Sequence, residues 1–461
     1  MLVKKIIPLL ALLLAAVGAG AQEGVSISGE VSAELLGYAD SFETWEKIKN
    51  ADLGDVLSGT LTVTASGALA EAVASFDLAP VFDGSASPLT LNEAYVKAFL
   101  GPVDLEAGYR KLTWGKADSF GPLDVTNPYD YRDLTSMTDL ISLKIARPML
   151  HASWSLGSAG MLEGVFEPWF QGHQFDLRGR WAPVQMTGML SQLGGLSLLS
   201  TMMGFQPTDI ENAQKYISNY ILNGEFQPDP SLQYLQGGIR FTTSAASNDF
   251  GVQYFYGRLP RPAYKIDIAA IDFVNKTIDG TRLLNMSYNT FHQIGIDFAR
   301  DLWGFNTRAE AAIHLTSDLK GDKGDVYNPF IGWSLGFDRT LFWNITLNLQ
   351  ANETVRLFQN KVSDTLVYNM FPSDIESGKD ITSTRITALL SRSFLRDALE
   401  VKVTALWGIE DKDFLIMPAL VWQKDGLSFE LSAGIFGGDD EGELGQYDDN
   451  DYVRGTVKLV F

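Results

Sequence analysis

Apolar and polar residues alternate with period two along much of the chain. From Trp343 to Ala351 the odd positions read Trp343, Ile345, Leu347, Leu349 and Ala351, while the even ones read Asn344, Thr346, Asn348 and Gln350. Leu399, Val401, Val403, Ala405, Trp407 and Ile409 alternate in the same way with Glu400, Lys402 and Thr404. Val103, Leu105, Ala107 and Tyr109 alternate with Asp104, Glu106 and Arg110. Each stretch has about the length of a membrane-spanning β-strand, roughly 9–11 residues, and one wholly apolar face. A soluble sandwich also alternates. Three features favour a membrane barrel: aromatics near strand ends (Trp303, Phe342, Trp343), connections that mostly alternate short and long, and a last strand that ends the chain on Phe461.

The pattern predicts eighteen antiparallel strands, at 24–38, 58–66, 69–80, 90–100, 103–112, 139–157, 161–170, 233–243, 249–258, 288–300, 304–316, 328–338, 342–355, 382–393, 398–409, 413–423, 426–437 and 451–461. Sixteen is the tolerable alternative. The short links at Ser66-Gly67, Gly101-Pro102, Ser158 to Gly160, Asp301-Leu302 and Lys424-Asp425 fall on one end by parity. Glu410 to Lys412 is a short link at the other end, and both termini fall on the short-turn end, expected to be periplasmic.

Residues 1–21 read as a secretory signal peptide: Lys4 and Lys5, an apolar run from Ile6 to Val17, and Ala19-Gly20-Ala21 before Gln22. Residues 22–461 are then a single barrel with insertions at 113–138 and 171–232, located in the cell outer membrane. The 461-residue chain has no cysteine, which excludes disulfide frameworks and thiolate chemistry. Its net charge of −20 argues against nucleic-acid binding. No cofactor is expected. The expected partners are outer-membrane lipid, periplasmic chaperones and the barrel assembly machinery, with small-molecule solutes in the lumen and a monomer or trimer as the assembly.

The inward positions give candidate pore-lining charges: Asp104, Glu106, Arg110, Asp297, Arg308, Glu310, Lys402, Glu430 and Arg454. The insertion 113–138 carries Asp118, Asp124, Asp130, Arg132 and Asp133 around Asn127-Pro128. It reads either as an inward constriction or as an outer loop held by salt bridges.

The run NEAYVKAFLGPVDLEAGYRKLTWGKADSFGPLDVTNPYDYRDL, Asn92 to Leu134, resembles alginate-export-type outer-membrane barrels and their functionally uncharacterised porin-like relatives. Those carry a similar strand–turn–strand, a WG pair and an Asn-Pro-x-Asp loop. The resemblance covers about 45 of the 461 residues. It implies an eighteen-stranded barrel with loops folded over or into the pore. Alginate export implies a strongly basic lumen, and this chain is acidic.

Trp181 to Thr208 contains no charged residue, although 20% of the chain is charged. A run of that length has a chance of about 0.002 at this composition. It holds Met186, Met189, Leu190, Met202, Met203 and Phe205, interrupted by Gly194-Gly195. A capping box at Thr208 and Glu211 then opens a helical pattern of Ile210, Ala213, Ile217, Tyr220 and Ile221. Two short extracellular helices are expected. They form a dry cap, a soft apolar capture site at the mouth, or an insertion into the outer leaflet.

Catalytic signals are few, and no enzyme is expected. His151 and Ser153 share an inward strand face near the periplasmic turn, the wrong place for a lipid ester; His314 shares one with Arg308 and Glu310. The acidic stretch 438–451, with Asp439, Asp440, Asp448 and Asp449, is a weak calcium candidate without an EF-hand register. A passive channel for small, apolar or amphipathic solutes is the expected function. A loop-closed structural or surface-interaction barrel is the alternative.

Overall fold

The computed structural model describes residues 24–39, 57–78, 89–137, 140–367 and 371–461. The expected signal peptide lies outside these residues. Eighteen strands form one sheet. They are β1 (Val25–Tyr38), β2 (Ser58–Ser66), β3 (Ala70–Leu78), β4 (Leu89–Leu100), β5 (Val103–Arg110), β6 (Arg147–Ser155), β7 (Met161–Glu167), β8 (Gln236–Ala245) and β9 (Asn248–Arg258). Then follow β10 (Thr290–Leu302), β11 (Phe305–Thr316), β12 (Phe330–Thr340), β13 (Thr346–Arg356), β14 (Thr382–Phe394), β15 (Leu399–Gly408), β16 (Asp413–Lys424), β17 (Leu427–Gly437) and β18 (Tyr452–Val460). Each pairs antiparallel with its neighbours in sequence, and β1 pairs with β18, from Glu30 opposite Val460 to Tyr38 opposite Tyr452. The barrel is closed, so no strand edge is left to lipid.

The alternation decides which face is which. Val25, Ile27, Val31, Leu35, Ile294, Ile296, Val403, Trp407, Leu431 and Val457 are all exposed on the outside. Their neighbours Gln293, Asp297, Glu310 and Gln350 are buried inside. An apolar exterior around a polar interior makes this a membrane-spanning barrel of the outer-membrane type. Trp303, Phe342 and Trp343 sit in the short turns and are largely exposed, at the level of an interfacial girdle.

All eight hairpins on the terminal side are short. Asp425-Gly426 has φ of 51° and 83°, a turn whose twist matches that of the flanking strands. The opposite end carries the long loops, with Ile409 to Lys412 the short exception.

The sixth strand corrects the expectation of 139–157. It begins only at Arg147, because residues 140–143 form a helical turn. Asn127 explains the late start: its side-chain amide donates to the carbonyls of Arg110 (3.0 Å) and Ile145 (2.9 Å), tying both strand ends to the loop.

The insertion 171–232 folds as α1 (Val184–Gln192), a 3-10 turn at Leu193–Leu196, α2 (Ser197–Met203) and α3 (Pro207–Leu222). Two helices were expected and three form, because Gly194-Gly195 tightens the chain into the 3-10 turn. The capping box is also corrected: α3 starts one residue earlier, with Pro207 in its first turn and no side-chain cap at Gln206.

Candidate functional site

The loop between β5 and β6 turns into the barrel. Trp114 to Leu123 lies along the inner faces of β8 to β13. Glu310 on β11 accepts the backbone N–H groups of Lys116 and, at 2.7 Å, Ala117. Gln350 on β13 accepts those of Asp118 (2.8 Å) and Ser119 (3.3 Å). Gln293 donates to the Pro122 carbonyl at 2.6 Å, and Gln253 to that of Leu123 at 2.8 Å. These side chains do for the loop backbone what a partner strand would do.

Glycine makes the close approach possible. A Cβ at Gly121 would lie 2.6 Å from Glu310 Oε2, and one at Gly332 would lie 2.8 Å from Pro122 Cβ. A Cβ at Gly295 would overlap the side chain of Leu123, which is fully buried.

A belt of charge runs around the inner wall beside this segment. Lys97 meets Asp104 at 3.0 Å and Glu106 at 3.5 Å, and Arg110 meets Glu106 at 2.6 Å. His151 bridges Glu106 (3.4 Å) and Glu163 (3.3 Å). Arg240 holds Asp297 at 2.6 Å and donates to Gln253 at 2.6 Å. Arg308 bridges Asp118 and Asp338. His314 stacks on Phe330 with centroids 4.3 Å apart and meets Gln293 at 3.1 Å. These charges are mutually compensated, as burial requires. On the opposite arc Glu430 and Arg454 approach to 3.8 Å, and Lys402 is half-buried on the inner face.

The loop charges divide. Asp118 joins the belt through Arg308 and Asn348. Asp124 turns away from the open lumen onto Lys144 (2.7 Å) and the Tyr129 hydroxyl (3.0 Å). Asp130 pairs locally with Arg132 at 2.5 Å.

Tyr129, Tyr131 and Phe175 stack in series, with centroids 5.8 and 5.6 Å apart. A short parallel bridge of Asp130–Tyr131 with Gln174–Phe175 joins the two long insertions there. His173 anchors the junction, accepting the Tyr129 N–H at Nδ1, 2.8 Å away. Burial holds its imidazole down to about 3, with Arg261 as the second cause.

At the loop end of the lumen lie charged groups that period-two reading does not single out. Arg385 meets Glu443 at 3.0 Å and Asp411 and Asp413 at 3.9 Å each. Glu376 meets Lys379 at 3.1 Å and Arg356 at 3.7 Å. Beside Arg261, the Pro262 carbonyl accepts the Tyr327 hydroxyl at 2.9 Å. Arg261 and Glu443 are both exposed. Arg261 lies in a loop between Pro260 and Pro262, where hydrophobic periodicity is silent, whereas Arg356 and Arg385 stand near the loop ends of β13 and β14.

The uncharged stretch packs as a cap. Leu193, Leu196, Leu199 and Phe205 share a core with Ile210, Ile217 and Ile221 of α3, and with Ile271, Leu284 and Met286 of the β9–β10 loop. Met186, Met189 and Leu190 pack against this core, whereas Met202 and Met203 are exposed. A second apolar cluster closes part of the mouth, where Trp181 stacks on Phe436 and Tyr447 at centroid distances of 5.4 Å.

The calcium candidate is corrected. Asp448 and Asp449 sit in the 3-10 turn Gly445–Asn450, which packs on the barrel through Leu444 and Tyr447. Among the described residues no group of three or more carboxylates or imidazoles is placed to share a metal ion.

No family model and no curated protein matches the chain. Solved structures similar to it are outer-membrane barrels. OpdK from Pseudomonas aeruginosa is 8% identical, with 95% of this chain and 99% of that one covered and a TM-score of 0.47. Wzi from Escherichia coli, described as a carbohydrate-binding β-barrel involved in group 1 capsule assembly, is 10% identical over 94% of this chain and 84% of that one, with a TM-score of 0.46. The channel DcaP of Acinetobacter baumannii is 10% identical over 96% and 98%, with a TM-score of 0.39.

Proposed function

We propose that this chain is an outer-membrane channel passing small solutes through a lumen narrowed by Trp114 to Leu123. The observation that carries the reading is the fastening of that segment across the inner wall by Glu310, Gln293, Gln253 and Gln350. A loop pinned to one side of a polar-walled barrel narrows the passage without filling it. The opposite arc keeps half-exposed polar groups such as Thr60, Thr62, Thr404 and Thr456, which suit a hydrated path. The resemblance of Asn92 to Leu134 to alginate-export-type barrels supports a porin-like channel and leaves the solute open. The exposed Met202 and Met203 at the mouth suit transient capture of amphipathic solutes.

The second reading, a loop-closed structural barrel, is favoured by the Trp181–Phe436–Tyr447 seal. Planar-bilayer recording of the purified full-length protein separates the two. Discrete ionic steps are expected; a silent bilayer after verified insertion selects the closed barrel.

A further inference from the structure

Three neighbouring hairpins at the short-turn end share a motif. Arg300-Asp301-Leu302-Trp303 closes β10, Arg339-Thr340-Leu341-Phe342 closes β12 and Arg392-Ser393-Phe394-Leu395 closes β14. The arginines share strand parity with the exposed Ile296, Leu335 and Leu390, so they point outward, to the lipid side. Register sets them level. Arg300 lies opposite Thr307, which lies opposite Phe337, two residues before Arg339. Arg339 lies opposite Leu347, which lies opposite Leu390, two residues before Arg392. Strands tilted by roughly 35–45° advance about one residue per strand at constant height, so this stagger keeps the three arginines at one depth in the membrane.

The turn residues beside them are costly choices. Trp303, Trp343 and Leu395 have φ of 59°, 62° and 53°, the left-handed region where Gly or Asn fits with least strain. Trp303 is 90% exposed, and Phe342, Trp343 and Leu395 are nearly as open, so packing within the protein does not repay that strain. Among the described residues, the other short turns hold no aromatic residue and no arginine. The guanidinium of Arg339 rests over the Phe305 ring of the preceding hairpin at 4.6 Å, and that of Arg392 over Phe394 at 4.7 Å. The nearby acids are used elsewhere. Asp301 accepts the Gly304 N–H at 3.0 Å, and Asp338 faces the lumen, where it pairs with Arg308. Asp397 has Arg396 beside it. Among the described residues, no carboxylate forms an ion pair with Arg300, Arg339 or Arg392.

We propose that this arc docks anionic phospholipid in the leaflet at the short-turn end, each arginine taking one headgroup phosphodiester while the large apolar turn residues enter the interface. The guanidinium fork matches phosphate oxygens, and Trp, Phe and Leu suit the layer between headgroups and acyl chains. Uncompensated positive charge on the lipid side selects an anionic lipid over a neutral one. The proposal stands apart from the channel reading, because it concerns the outer wall and needs no passage through the lumen. Its lipid shell is one-sided, since the motif is confined to β10 to β15.

Native mass spectrometry of the full-length protein in detergent tests this, with phosphatidylglycerol as the anionic probe and phosphatidylcholine of the same acyl chains as the neutral one. Phosphatidylglycerol should bind about threefold or more tightly than phosphatidylcholine, with one tight adduct for each arginine of the motif. Arg300→Gln, Arg339→Gln and Arg392→Gln should each remove one adduct, and the triple variant should lose the preference. The triple Lys variant keeps the charge without the fork and should fall between. Lys424→Gln removes a charge from the next hairpin, whose turn is Asp425-Gly426, and should leave the preference unchanged. Replacing Trp303, Trp343 and Leu395 with Ser should weaken both lipids. All variants are compared only as folded, heat-modifiable species. Equal binding of the two lipids to wild type overturns the proposal and leaves the arc to a periplasmic protein. A preference that survives the triple Gln variant also overturns it. So does an equal loss in Lys424→Gln, which would mean that general surface charge is responsible.

Discussion

Leu123 fills the space over Gly295, packing its methyl where any side chain at 295 would stand. The wall glycine and the loop leucine are a matched pair, one small because the other is large. Gly295→Val should therefore lift Trp114 to Leu123 from the wall. With the loop displaced, single-channel conductance should change by a large factor while the barrel still migrates as a folded species on a heat-modifiability gel. Unchanged conductance would mean that the loop does not set the width of the path.

The face assignment has a direct energetic test. Val403 points into lipid near the middle of β15, and Thr404 beside it points into the lumen. Val403→Lys should cost about 2–4 kcal/mol and Thr404→Lys less than about 1 kcal/mol, measured by reversible unfolding from vesicles. Equal costs would invert the assignment.

The junction of the two insertions should depend on pH. His173 accepts the Tyr129 N–H, which requires a neutral ring, and its folded value is about 3 against an ordinary 6.5. The unfolded junction takes up a proton first as pH falls. Its stabilisation is complete above about 6.5 and is lost progressively as pH drops towards 3. Hydrogen exchange at the Tyr129 amide should accelerate relative to its intrinsic rate between pH 7 and 4. His173→Asn offers an acceptor that does not titrate, and should flatten the dependence.

The cap has its own core, and its methionines are not equivalent. Phe205 is buried against Phe273, whereas Met202 is 78% exposed. Phe205→Ser should cost about 3–5 kcal/mol of local cap stability, and Met202→Ser should cost almost nothing. Limited proteolysis within α1 and α2 reads both, and the strands should stay protected in each variant.

The wall of the barrel was legible because lipid imposes one rule on every strand. Leu347, Val403 and Val457 had to alternate with polar neighbours, and eighteen strands follow from counting those alternations. The inward charges were legible by the same parity. Their partners were not: the contact of Arg240 with Asp297 depends on how β8, β9 and β10 are registered, which no local pattern encodes. Whether Trp114 to Leu123 went inward was also closed to sequence reading, because the answer lay in Gly295 and Gly332, far along the chain. The start of β6 was misread because Lys144 and Ile145 fit the alternation. Asn127, eighteen residues away, claims the Ile145 carbonyl instead.

The seam between β1 and β18 has a kinetic consequence. Phe461 exchanges both main-chain hydrogen bonds with Gly29, each 3.0 Å long, so the seam joins residues more than 400 positions apart in sequence. Until that seam pairs, the sheet has two free edges. Pairing of such high contact order is slow, and open edges invite association with other chains. Closure of the β1–β18 seam is therefore the step that withdraws the last open edges from other chains.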